Sequence, residues 1–181
     1  MSRAPETRGI GGEQVEGRHA VRELLAAGRR RVKAVYLSQS SEPNPVVDEI
    51  VALAGPLLRK VSAEKLRAQA RSETHQGVVA TASPLVPADL DTLLGAPDAF
   101  LVALDGITDP QNLGSVLRSA AAFGATGVIV PRHRSAHVTP AVAKAAAGAI
   151  EHLPIAPVSG IASAVQAVSY THLTLPTKRI V

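Results

Sequence analysis

The stretch from residue 100 to residue 130 constrains the fold most, because two unbroken apolar runs, 100–104 and 127–130, flank a polar loop and a helix-patterned segment. A strand that is apolar at every position has both faces covered, which is the condition of a parallel strand inside a layered α/β domain. The segment 113–123 reads as a helix, with Leu113, Val116, Leu117 and Ala120 on one stripe and Gly124 as its stop. Strand, helix and strand at this spacing predict a βαβ unit, whose ligands meet the chain beyond the carboxyl ends of the strands. Asn112 sits where it is expected to cap the helix with its side-chain oxygen. Arg118 follows Gly114 by four residues, so the two share a face, and long helical side chains lean toward the N-terminus. It is therefore expected to reach over Gly114 toward the strand end. From the residues alone, a structural cap is the favoured reading of Asn112 and an exposed helix charge that of Arg118.

Upstream, residues 17–27 predict a helix stopped by Gly28, and residues 32–37 a strand. A second apolar helix opens at Pro45 and ends at Gly55 and Pro56. Residues 57–61 read as a strand, Ser62 as the cap of a helix through Ala70, and residues 77–81 as a strand. Pro84, Pro87 and Pro97 mark a linker over 83–98 that holds one short helix at 90–94. Thr139 and Pro140 start an alanine-rich helix that runs to about Gly148. The expected organisation is a flexible leader over 1–13, a first domain over 14–82, the linker, and a second domain over 99–166. The last residues, 167–181, continue none of these patterns and resemble translated sequencing adapter, so a non-native tail is expected there.

Four aromatics, Tyr36, Tyr170, Phe100 and Phe123, leave the cores to aliphatic side chains. With no cysteine there is no disulfide framework and no thiolate metal ligand, which fits a reducing, cytoplasmic setting. No apolar run reaches the roughly 18 residues of a membrane span. His19, His75, His133, His137 and His152 are scattered without ligand spacing, so no metal site is expected. Charge is uneven: residues 1–80 hold 13 Lys or Arg against 9 Asp or Glu, whereas 81–181 hold 6 of each. Arg18, Arg22, Arg29, Arg30, Arg31 and Lys33 are candidates for a phosphate-binding patch, with a solvated basic turn as the alternative.

The segment D-P-Q-N-L-G-S-V-L-R-S-A-A-A-F-G from Asp109 resembles motif 1 of the SpoU, or TrmH-like, RNA ribose methyltransferases, a branch of the SPOUT class. Similarity continues in V-E-G-R-H-A-V-R-E-L-L from Val15, H-Q-G-V-V-A from His75, and K-A-A-A-G-A-I-E-H-L-P-I from Lys144. Together these look like the branch that modifies a guanosine of 23S ribosomal RNA. The resemblance implies a small L30e-like, ribosomal-protein-type RNA-binding domain followed by a knotted α/β methyltransferase domain. It also implies S-adenosylmethionine as methyl donor, RNA as substrate and a homodimer. Carried over by position, Asn112 and Arg118 match the motif 1 residues placed around the target ribose.

After Val158 the chain lacks the G-x-E-x-x-G-type motif 2 and the apolar motif 3 with its Ser and Asn. The expectation is therefore a methyltransferase domain cut off before its donor site, with no cofactor-binding residue assignable and little activity of its own. Two other functions stay in view: a tRNA or resistance-type ribosomal RNA methylase of the same family, and an RNA-binding module without catalysis.

Overall fold

The protein is described here from a computed structural model, in which residues 9–132 and 137–172 are placed. The chain builds two sheets. The first takes β1 (Gln14–Glu16), β2 (Val32–Ser38), β3 (Leu58–Val61) and β4 (Val78–Ala82) in the order β1-β4-β2-β3. Within it β2 and β3 run parallel, while β4 runs antiparallel to both β1 and β2. Its helices are α1 (Arg18–Ala27), α2 (Pro45–Ala54) and α3 (Ala63–Gln69). The second sheet, β5 (Leu101–Ala103), β6 (Gly127–Pro131) and β7 (Ile155–Val158), is wholly parallel in the order β5-β6-β7. It carries α5 (Pro110–Ala122), α6 (Pro140–Ala145) and α7 (Ile161–His172), and the short α4 (Leu90–Leu94) precedes it.

The expected caps and stops explain most of these elements. Ser62 accepts a hydrogen bond from the Lys65 N–H, and Gly28 and Gly124 close their helices with positive φ of 60° and 78°. Four expectations are corrected. A strand, β1, precedes α1 outside the expected elements, because three residues with a single apolar one, Val15, are too few to establish a strand pattern. The helix α5 starts at Pro110, so its cap is Asp109, whose carboxylate accepts from the Asn112 N–H at 2.8 Å. Proline at the first helical position fixes that start. The helix α6 ends at Ala145, with Ala147 at φ 49° and a 3-10 turn over Ala149–Glu151. Finally, β7 and α7, which the pattern does not mark, extend the second unit, with α7 running to His172. Residues 173–181 of the expected non-native tail, the first eight residues of the leader and His133 lie outside the described residues.

One aliphatic core joins the two sheets. It runs from Val15, Val21, Leu24, Val35 and Ile50 through Val142 and Ile150 to Leu113, Leu117 and Val128, all at most 3% exposed. The helix α6 packs against both β1 and α5. The segment after β4 is tied to both sides, since the Leu85 N–H donates to Gly11 O at 2.9 Å and the Ala88 N–H to Ile155 O at 2.8 Å. Close approach of α5 and α6 depends on Gly114, where a Cβ would stand 2.4 Å from the Ala145 Cβ and 2.8 Å from Val142 O. Gly114→Ala is therefore expected to cost roughly 1–3 kcal/mol by forcing the helices apart. Its urea midpoint should fall; an unchanged or raised midpoint would show that α6 shifts without cost.

Candidate functional site

Where β5 ends, the chain turns through Asp105 and Gly106, the latter at φ 67°, and reaches the capped start of α5. Asn112, on the first turn, and Arg118 are both exposed. Among the described residues neither side chain has a hydrogen-bond or ion-pair partner, so the fold makes no use of either. Asn112 thus differs from its expected role: its backbone N–H is capped, and its side chain caps nothing. Gly114 differs too, being buried under α6 rather than lying as open ground beneath Arg118. Leu113, Leu117 and Ala120 form the buried stripe, with Val116 partly buried beside them, which leaves Arg118 outside the core.

At the carboxyl ends of β6 and β7 lies a cleft of about 360 Å³, bordered by the exposed Asp89, Asp91, Arg132, Ser159 and Ser163. Hydrogen bonds from the Thr92 N–H at 2.9 Å and then its hydroxyl at 3.0 Å hold the Asp89 carboxyl below the usual carboxylate range. Among the described residues no group of three or more His, Asp or Glu side chains stands ready to hold a metal ion. None of the described helices is long and apolar enough to cross a membrane.

The six basic residues expected to make one patch do not do so. Arg18 opens α1, while Arg29, Arg30 and Arg31 follow its end, about 15 Å away along a ten-residue helix. Arg30 is an interior residue. Its side chain is 5% exposed and pairs with Glu151, itself 1% exposed, through Nε to Oε2 at 2.9 Å and a second contact from Nη2 to Oε1. It also donates to Gly12 O at 2.7 Å and Ser83 O at 2.8 Å. Arg29 donates to His152 O, and Arg22 pairs with Glu23 and, at 3.4 Å, with Glu49. Arg31 and Lys33 remain exposed. His152 bonds Glu23 at 2.8 Å rather than any ligand cluster.

Polar residues that the charge count does not single out gather instead at the other end of α1. Gln76, at φ 55°, accepts from the Arg18 N–H through Oε1 at 3.1 Å and from Arg18 Nε through its carbonyl at 3.2 Å. The loop that carries it is anchored by Glu16, a fully buried carboxylate. Glu16 accepts from the N–H groups of Arg71 at 2.6 Å and Ser72 at 3.2 Å, and from the Ser72 hydroxyl and the Gln14 amide. Lys144 of α6 donates to Thr74 O in the same loop. The signal in the sequence was the H-Q-G turn, noted only as part of a resemblance.

Comparison with known proteins adds the following. Residues 14–88 match the family model for RNA 2′-O ribose methyltransferase substrate binding, and residues 99–177 that of the SpoU rRNA Methylase family. The chain is similar to the 23S rRNA (guanosine-2′-O-)-methyltransferase RlmB of Pseudomonas syringae pv. tomato, with 43% identity over 157 residues, 83% of this chain and 62% of that protein. It is 36% identical to the protein of the same name from Pasteurella multocida, covering 88% of this chain and 68% of that one. The chain thus spans less than two thirds of the length of the first of these relatives. Its fold is similar to the SpoU methyltransferase AviRb from Streptomyces viridochromogenes, solved in complex with AdoMet, with TM-score 0.67, 24% identity, and coverage of 87% of this chain and 58% of that one.

Proposed function

Because the chain belongs to the SpoU family of RNA ribose methyltransferases, we propose that it serves the transfer of a methyl group from S-adenosylmethionine to the ribose 2′-hydroxyl of a guanosine in 23S ribosomal RNA. The observation that carries this reading is the pair Asn112 and Arg118: two polar side chains on the helix that follows β5, exposed and, among the described residues, without partners. Residues 14–82 grip the RNA and residues 99–166 carry the chemistry. The names of the two bacterial relatives support the choice of 23S ribosomal RNA.

S-adenosylmethionine would supply the methyl group and leave as S-adenosylhomocysteine, while the ribose hydroxyl becomes an adequate nucleophile only as its proton passes to solvent water. The chain's part is to orient that hydroxyl and stabilise the oxyanion that develops on it. A guanidinium keeps its proton in proteins, so Arg118 acts as a charged, forked donor to the alkoxide and the neighbouring phosphate rather than as the base. Asn112 offers one acceptor and two donors to the ribose. The described residues at the strand ends form an open cleft of mixed lining, with Leu90, Val158 and Ala164 beside Asp89, Arg132 and Ser163, and do not by themselves single out a group for an adenosine. No residue of this chain is accordingly assigned to the donor. The family resemblance also supports a homodimer, and a ribosomal RNA substrate supports a cytoplasmic setting.

The test uses tritiated S-adenosylmethionine with either unmodified 23S ribosomal RNA or bulk tRNA. Because the chain spans 62% of the Pseudomonas relative, it is assayed both alone and as a chimera in which residues 14–158 replace the matching segment of that protein. A chimera that folds and labels 23S ribosomal RNA supports the reading. Label confined to tRNA, or none from a chimera with a normal thermal transition, contradicts it.

A further inference from the structure

Two adjoining clefts open at the end of the first sheet where β2 stops and where α1 and α3 begin. One, of about 330 Å³, is lined by Arg18, His19, Asn44, Val46 and Gln76. The other, of about 320 Å³, shares Arg18 and Gln76 and adds chiefly Ser40, Ser41, Arg67 and His75. Each is near the lower end of the roughly 300–1,000 Å³ range of ligand clefts. We infer that this double cleft is where the first domain holds RNA, gripping the sugar–phosphate backbone of an unpaired or bulged segment; the inference rests on the RNA reading above and assigns it a surface.

The chemistry selects this ligand. Of the lining residues only Glu42 is acidic, against two guanidinium groups. Arg18 is held by its Nε on the Gln76 carbonyl, and among the described residues its terminal nitrogens have no partner. Arg67, exposed on α3, likewise has none. The Ser41 hydroxyl is buried without a partner, an arrangement that leaves a polar group waiting for one. It stands 3.1 Å from where a Cβ on Gly77 would be, so glycine keeps that wall open. No phenylalanine, tyrosine or tryptophan lines either cleft; His19 and His75 are the aromatic rings there, and the arginine, serine and amide groups that outnumber them favour contacts to phosphate and 2′-hydroxyl oxygens. The Glu16 and Lys144 anchors fix the Gln76 loop before any ligand arrives, which lowers the ordering cost of binding. The arginine run at the far end of α1 has given up Arg30 to the interior and is the weaker candidate.

Fluorescein-labelled transcripts of a bulged 23S ribosomal RNA hairpin, and a fully paired duplex of equal length, are titrated with the whole chain across a range of salt. For Arg18→Ala with Arg67→Ala the log–log salt slope should fall by about 2, one per lost phosphate contact. Arg31→Ala with Lys33→Ala should leave slope and affinity nearly unchanged, and the bulged hairpin should bind more tightly than the duplex. Arg67→Glu, at an exposed position, keeps the test valid if the double variant fails to fold. Parental binding by the cleft variants, with loss in the Arg31 and Lys33 variant, would place RNA on the other face and overturn this inference while sparing the RNA reading. Absence of salt-sensitive binding by the parent chain would overturn both.

Discussion

Arg118→Ala in the active chimera is expected to lower kcat for methyl transfer by about 10² to 10³, the usual consequence of losing one preorganised donor to a developing oxyanion. RNA affinity should change little, because a charge that acts on the transition state contributes to turnover more than to ground-state binding. Folding should be spared as well. The side chain lies off the stripe of Leu113, Leu117 and Ala120 and is exposed without a partner among the described residues, so its removal resembles an ordinary surface change, within about 0.5 kcal/mol. Arg118→Lys separates the finer roles: lysine keeps the charge but loses the planar fork. Strong rescue by lysine identifies a point charge, and weak rescue a bidentate contact. Methylation at the parental rate by a folded Arg118→Ala protein would remove Arg118 from the chemistry.

The largest expected effect on stability belongs to another arginine. Arg30→Ala strands the Glu151 carboxylate, 1% exposed, in the joint between the two sheets and leaves Gly12 O and Ser83 O without their donor. Removing one partner of a buried pair typically costs about 3–5 kcal/mol. For a chain of this size that lowers Tm by on the order of 10 °C. Arg31→Ala, one residue along the same run but exposed, should shift Tm hardly at all. Replacing both partners, Arg30→Met with Glu151→Leu, should recover much of the loss, since an apolar pair pays no desolvation penalty. Equal Tm values for the Arg30 and Arg31 single variants would mean that the interior pair does not hold in solution.

That contrast marks how much of the molecule can be read from its sequence. Local signals were legible: Ser62 as a cap, Gly28 and Gly124 as stops, residues 90–94 as a helix, and the apolar runs as parallel strands. The cap of α5 was misread at Asn112, although proline at position 110 is the local signal that starts the helix there and makes Asp109 the cap. What could not be read depends on partners distant in the chain. Nothing local distinguishes Arg30 from Arg29 or Arg31, since its partner lies 121 residues away. The polar strand β1 is held by pairing with β4, and Glu16 is buried only because the loop after α3 folds over it. The double cleft is likewise assembled from α1, the end of β2, α3 and the H-Q-G turn, none of which is distinctive by itself. The proposed site on α5, by contrast, draws both its residues from one short segment, so its motif can be read along the chain.

The measurement that bears most directly on the central claim is the position of the transferred methyl group. Labelled 23S ribosomal RNA from the chimera assay is digested to nucleosides and analysed by mass, and a second portion is hydrolysed in alkali. The account predicts 2′-O-methylguanosine, with the phosphodiester bond 3′ to it resistant to alkaline cleavage because its 2′-oxygen can no longer attack. A methyl group on the base, which leaves that bond labile, would contradict it.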